Sequence, residues 1–208
     1  MKVSCYSTYI SESTGIGTSL EGYVKEFRKE IPETKTLGAE VLRPAIFSPR
    51  GLGRDESTTF VVNRIRDMAP HVLPDLKKHR IIWGAEIHAP VAPETYLKLI
   101  NEINDEHFRL VPDFSVWQTK GLAGVAGAAS VELYRQCMPY TVHVHAKAHV
   151  FDESGEEPNT PFGKLIPITK ESGFDGYISA EFEGWRLGDF SDSRKTVETH
   201  VNLIQKYL

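Results

Sequence analysis

Short apolar or alternating runs recur along the chain, separated by stretches in which apolar residues return every three or four positions. The strand-like runs are VSCYSTYI (3–10), AEVLRPAI (39–46), RIIWGAEIHA (80–89), FRLVPDF (108–114), YTVHVHAKAH (140–149) and GYISAEFEG (176–184). Between them lie helical patterns. Leu20, Tyr23, Val24, Phe27 and Ile31 fall on one face at 3.6-residue spacing, and a second helix covers roughly 56–69. A third starts at Pro93, a residue suited to a first helical turn, and stacks Tyr96, Leu99, Ile100 and Ile103. A last one carries Val197, Val201, Ile204 and Leu208 on one stripe. The segment SVWQTKGLAGVAGAAS (115–130) has the small residues of a loop leading into a helix. Strands that alternate with helices predict βαβ units and a parallel sheet.

Composition narrows the class. With 208 residues, 40% of them apolar and 25% charged, the chain can bury a sizeable single core. Its 24 Lys+Arg stand against 28 Asp+Glu, a formal net charge of −4, so there is no basic footprint for nucleic acid. The two cysteines, Cys5 and Cys137, form neither a disulfide framework nor a CxxC pair and read as buried free thiols in a reducing compartment. No signal-peptide pattern opens the chain, and no apolar run approaches the roughly 18 residues of a membrane span. These features predict one soluble, cytoplasmic domain over residues 1–208.

The chemistry sits at the ends of four strands. Successive side chains on a strand point to opposite faces. Glu86 and His88 therefore share a face in WGAEIH, opposite Trp83, Ala85 and Ile87. Asp113 opposes Pro112 and Phe114, while Glu181 and Glu183 oppose Ala180 and Phe182. His143, His145, Lys147 and His149 share a face in HVHAKAH, backed by Val144, Ala146 and Ala148. Glu86, Asp113, His145 and Glu181 are separated by 27, 32 and 36 residues, each about one βα repeat. Such spacing brings the four to neighbouring strands at the carboxyl edge of a parallel sheet, where α/β active sites form. Three carboxylates and an imidazole repel one another unless a cation sits among them. That donor set suits Mn²⁺ first, with Mg²⁺, Co²⁺ or Zn²⁺ as alternatives. Singly, each residue has a plainer reading as a helix cap, an ion-pair partner or a packed core residue.

At these residues the chain resembles the sugar phosphate isomerase/epimerase family of xylose-isomerase-like TIM barrels, and within it the branch of C-glycoside deglycosidase α subunits. The resemblance rests on CYSTYI, EIHAP, HVHAKAHVFDE and GYISAEFEGW, and covers most of residues 3–186. It implies a (β/α)8 barrel whose metal is held by Glu86, Asp113, His145 and Glu181 on its last four strands. Only six βα units are visible, whereas such barrels typically take about 250 residues. The expectation is thus a barrel lacking its first two units at the N-terminus, either truncated or completed by a partner; an open six-stranded sheet is the alternative.

The resemblance further implies proton abstraction beside a sugar carbonyl, with the metal polarising the oxygens. In the epimerase form Glu86 and Glu181 also exchange protons on opposite faces of the substrate. In the deglycosidase form a proton leaves C2 of a 3-oxo-glycoside and the aglycone departs. His88 is then the base, histidine being the side chain that titrates nearest neutrality, or else a support for a ligand. Lys147 either meets a substrate oxygen or pairs with Glu183 or Asp113. Arg43 either holds substrate or caps the barrel with ion pairs. His149, Glu183, Trp117 and Trp185 stand at the substrate rim, where the tryptophans stack on a ring or pack at the edge, and His143 lies deeper as a packing residue. The expected partners are a sugar or glycoside and a second copy or small β subunit, with no nucleic acid and no membrane. The rival readings are a DNA-repair endonuclease of the same fold, whose extra metal ligands are missing here, and an inactive remnant.

Overall fold

Six strands, each followed by a helix, make up the described part of the chain. A computed structural model describes residues 2–10, 19–118, 128–187 and 193–208. The small-residue stretch 119–127, part of the expected loop, lies outside them. The order is β1 (Tyr6–Ile10), α1 (Leu20–Thr36), β2 (Val41–Ile46), α2 (Arg54–His79), β3 (Ile82–Ile87), α3 (Pro93–Ile103), β4 (Phe108–Pro112), α4 (Val131–Cys137), β5 (His143–Ala148), α5 (Phe162–Glu171), β6 (Tyr177–Phe182) and α6 (Ser193–Tyr207). β1 to β4 form one sheet in that order, and β5 pairs with β6; the registered pairs β1–β2, β2–β3 and β5–β6 are parallel. This is an α/β architecture built of successive βα units. The chain separates into two compact units: Met1–Glu86 with Glu94–Val111, and Ile87–Pro93 with Pro112–Leu208.

In the first unit, Ser19 caps α1 by accepting from the Gly22 amide at 3.1 Å, satisfying one of the donors a helix start leaves open. The face carrying Tyr23, Val24, Phe27 and Ile31 is buried, as its periodicity predicts. Phe27 meets Trp83 edge-on at 4.9 Å, and Trp83 meets Phe108 at 5.1 Å, tying α1 to the sheet through β3 and β4. Gly84 sits where β3 is squeezed: a Cβ there would lie 2.7 Å from Val111 and 3.0 Å from Val41. α2 runs 26 residues, ten past the expected stop, through Pro70 and Pro74. Proline removes an amide from the helical ladder, which is why the sequence suggested an end there. Burial of Met68, Val72, Leu73 and Leu76 on one side keeps the helix going.

In the second unit, β5 is buried on both faces. Phe114, Tyr134 and Phe162 form an edge-on cluster beneath it, and the Tyr134 hydroxyl meets Thr169 Oγ1 at 2.6 Å. α5 was not foreseen, because Pro161 and Pro167 break up its sequence, yet Phe162, Leu165, Ile166 and Ile168 are buried along it. On α6 the structure corrects the expected stripe. The inward face is Thr196, His200, Leu203 and Ile204, while Val197, Val201 and Leu208 are exposed. Val201, Ile204 and Leu208 instead line a cleft of about 470 Å³ with Tyr177, Ile178 and Ala180 of β6.

His200 lies buried against Phe151 and Phe162. Burial pushes its imidazole down to about 4, with a hydrogen bond to the Ala146 carbonyl opposing. The unfolded chain binds this proton near 6.5 and the folded one only near 4. The stabilisation is therefore complete above pH 6.5 and is lost as pH falls toward 4, by up to about 3 kcal/mol. Urea midpoints measured between pH 7 and 4.5 should fall less steeply in His200→Gln than in the parent protein.

Candidate metal centre

The parallel register of β5 and β6 determines which side chains meet. Lys147 stands opposite Glu181, and His145 opposite Ser179. One further bridge sets Asp113, just past β4, beside His145. Asp113 begins a 3-10 turn (Phe114–Trp117) and accepts from the Ser115 amide at 2.8 Å through Oδ1, which turns Oδ2 toward β5. Asp113 is fully buried, and His145 and Lys147 nearly so.

The Lys147 ammonium lies 2.9 Å from Asp113 Oδ2, 2.9 Å from Glu181 Oε1 and 3.6 Å from Glu183 Oε1. His145 Nδ1 is 3.2 Å from Glu181 Oε2. Burial pulls the Lys147 ammonium down, but the Asp113 and Glu181 carboxylates outweigh it and hold the group above its ordinary range. Burial likewise pulls the Glu181 carboxyl up, and His145 with Lys147 overcome this and hold it at about 2. A salt bridge this deep is costly to break from one side, because the surviving charges lose both water and partner.

Asp113, His145 and Glu181 each present one ligand atom, all within 4.8 Å of one another. Two carboxylate oxygens and an imidazole nitrogen fit a divalent ion of the Mn²⁺, Mg²⁺ or Zn²⁺ group and do not distinguish among them. In the first unit, Glu86 Oε1 pairs with Arg43 at 3.3 Å, and the Arg43 guanidinium lies 5.9 Å from the Tyr9 ring. Arg43 is thus in the ion pair that was one of its two expected settings. Cys5, half-buried near this pair, is a thiol raised to about 11, burial being the main cause; Cys137 is buried, and neither cysteine is in a disulfide.

The other expected site residues separate by environment. His88 is half-buried, with Nδ1 2.9 Å from the Ala89 carbonyl. His143 is buried and bonds Ser179 Oγ at 2.6 Å, in keeping with a packing role. His149 is fully buried rather than at a rim; its Nε2 faces Glu183 Oε2 at 3.6 Å and its Nδ1 meets Gln118 Nε2 at 2.7 Å. Trp117 is also inside, donating to the Ser130 carbonyl at 3.0 Å and packing on Tyr134, so it offers no rim surface. Trp185 is 56% exposed. Gln118 escaped the sequence reading: it is a single amide after a strand-end turn, and only the fold brings it to His149.

No family model matches the chain. It is 36% identical over 94 residues to a 3'-dehydrocarminate deglycosidase alpha subunit from Microbacterium, covering 45% of this chain and 27% of that one. A C-glycoside deglycosidase alpha subunit from Arthrobacter globiformis is 36% identical over 81 residues, 39% of this chain and 22% of its own. The chain therefore spans about a quarter of the length of these relatives. Among solved structures, a D-allulose 3-epimerase from Methylomonas superposes with a TM-score of 0.69 at 15% identity, over 97% of this chain and 76% of that one. A magnesium complex of a xylose isomerase-like TIM barrel protein from Mycobacterium smegmatis gives 0.61 at 14%, over 96% and 72%. These likenesses show the fold, that of a TIM barrel, represented here by six βα units. None of the described helices is long and apolar enough to cross a membrane.

Replacing Lys147 by Met should destabilise the metal-free protein by about 3 kcal/mol in chemical denaturation at pH 7.5, since Asp113 and Glu181 then face each other uncompensated. Adding Glu181→Gln to that variant should recover part of the loss.

Proposed function

We propose that the chain is the metal-binding part of a sugar-transforming enzyme that removes a proton beside a carbonyl, in the manner of C-glycoside deglycosidation from a 3-oxo-glycoside. The observation that carries this is the convergence of Asp113, His145 and Glu181. Glu86, on β3 and one βα repeat before Asp113, is the fourth ligand in this reading. The similarity to deglycosidase alpha subunits supports the choice of substrate class.

A bound divalent ion supplies positive charge that polarises the substrate carbonyl. The base is His88. Its Nδ1 faces the Ala89 carbonyl, which only accepts, so the ring proton sits on Nδ1 and Nε2 keeps a lone pair for the carbon-bound proton. The C2–H electron pair becomes the C1–C2 double bond, the bond from C1 to the aglycone breaks, and the aglycone carbon takes up a proton. Lys147 holds Asp113 and Glu181 in place and offers its charge to the oxygen on which negative charge grows. Glu183 orients a substrate hydroxyl, Arg43 positions Glu86, and exposed Trp185 stacks on the sugar or aglycone ring. The epimerase form, with Glu86 and Glu181 exchanging protons on a free ketose, uses the same centre.

A second reading is supported by relatives named as alpha subunits: the chain works with a partner, either another copy or a small β subunit, and is inactive alone. A cytoplasmic setting accompanies both readings.

Titration with Mn²⁺ in a calorimeter should find one ion per chain, with affinity at least about 100-fold weaker in Glu181→Ala, a greater loss than removal of an outer-shell partner gives. No binding in the parent protein would sink the proposal. With metal present, deuterium from D2O should enter C2 of a 3-oxo-glycoside, and His88→Gln should slow this by about 100-fold or more. Exchange into a free ketose alone would favour the epimerase form.

A further inference from the structure

The buried amide of Gln118 has a role that the strand-end residues do not explain. Gln118 is 2% exposed and His149 0% exposed, so neither group is hydrated in place. Gln118 Nε2 lies 2.7 Å from His149 Nδ1 and 2.9 Å from Thr160 Oγ1. The other ring nitrogen of His149, Nε2, faces the Glu183 carboxylate at 3.6 Å and has no hydrogen-bond partner nearer than that. A carboxylate only accepts, so this neighbour favours a ring proton on Nε2. Nδ1 is then an acceptor, and the group that meets it has to be a donor. The side-chain amide of Gln118 has two N–H bonds, one for His149 and one for the Thr160 hydroxyl oxygen. These contacts fit the ring tautomer protonated at Nε2.

We propose that Gln118 is a positioning residue that fixes His149 as the Nε2–H tautomer, and that His149 in turn holds Glu183 with its carboxylate turned to the substrate side. This rests on the reading of Glu183 as a substrate-orienting group. Glu183 also stands 3.6 Å from the Lys147 ammonium, so its carboxylate is steered from two directions by donors on one strand and the loop just past it. The arrangement parallels the way an outer hydrogen bond selects the tautomer of a functional histidine. Gln118 acts through His149 and touches neither substrate nor metal.

The test is a histidine ring ¹⁵N correlation spectrum of the metal-loaded protein at pH 7.5, with His149 assigned by its loss in His149→Asn. The expected result is a single His149 tautomer protonated at Nε2. In Gln118→Glu, which replaces the donor by an acceptor, Nδ1 should also take up a proton, giving a doubly protonated ring. In Thr160→Val, which frees one amide hydrogen but keeps the Gln118 contact, it should stay on Nε2. A His149 protonated at Nδ1 in the parent protein overturns the proposal whether or not the variants fold. So does a ring signal unchanged in a folded Gln118→Glu. Where the parent protein turns over an oxidised glycoside, Gln118→Glu should raise KM about tenfold with a smaller change in kcat. A parent protein without turnover on either sugar class overturns the functional reading, and the ring spectrum still decides the role of Gln118.

Discussion

The second unit is organised around one buried ammonium. Lys147 is drawn into the interior by the alternation of β5, which sends Val144, Ala146 and Ala148 to one side and His143, His145 and Lys147 to the other, both sides being covered. A lone lysine there would shed its proton or stay outside. The carboxylates of Asp113 and Glu181, delivered by a bridge to β4 and by the register with β6, make the charged form the favoured one. In return the ammonium allows those carboxylates to sit a few ångströms apart. Removing the register would scatter all of them.

The same interdependence explains why the chain's chemistry is confined to strand ends while its helices carry ordinary packing. Asp113 is useful as a ligand candidate because a local turn has already occupied its Oδ1. Glu181 remains ionised inside the protein because His145 and Lys147 outweigh its burial. In the first unit, Glu86 meets the same problem with a different cation, Arg43, whose planar guanidinium also rests near an aromatic face. Each of these carboxylates therefore sits beside a counter-charge, Lys147 being shared by Asp113 and Glu181 and Arg43 serving Glu86.

Much of this was legible in the sequence because strand alternation and repeat length are strong constraints. His145, Lys147 and Glu181 could be assigned to faces by counting in twos, and the intervals between Asp113, His145 and Glu181 follow the βα repeat. Counting failed where long-range packing decides. α2 continues past Pro70 because its buried side outweighs a lost hydrogen bond, and α5 forms despite prolines at and within its start. On α6 the apolar stripe and the buried stripe differ, since His200 and Thr196 take the inward places and Val201 and Leu208 turn to the β6 cleft. Trp117 and His149 look like rim residues from their positions after strands, but both are buried, Trp117 against Tyr134 and His149 against Gln118. Gln118 had no pattern to mark it, because its partners are 31 and 42 residues away.

Gly84 carries a consequence for how this chain can change over generations. Two residues before Glu86, its missing side chain lets β3 lie between Val41 and Val111 with no slack. A single added methyl must push aside the Val111 or Val41 side chain, and it does so two positions from Glu86. Even alanine is strained at this position, although nothing in its own chemistry is used. Substitutions at Val41 or Val111 to smaller residues would reopen it, so the three positions are expected to change together or not at all.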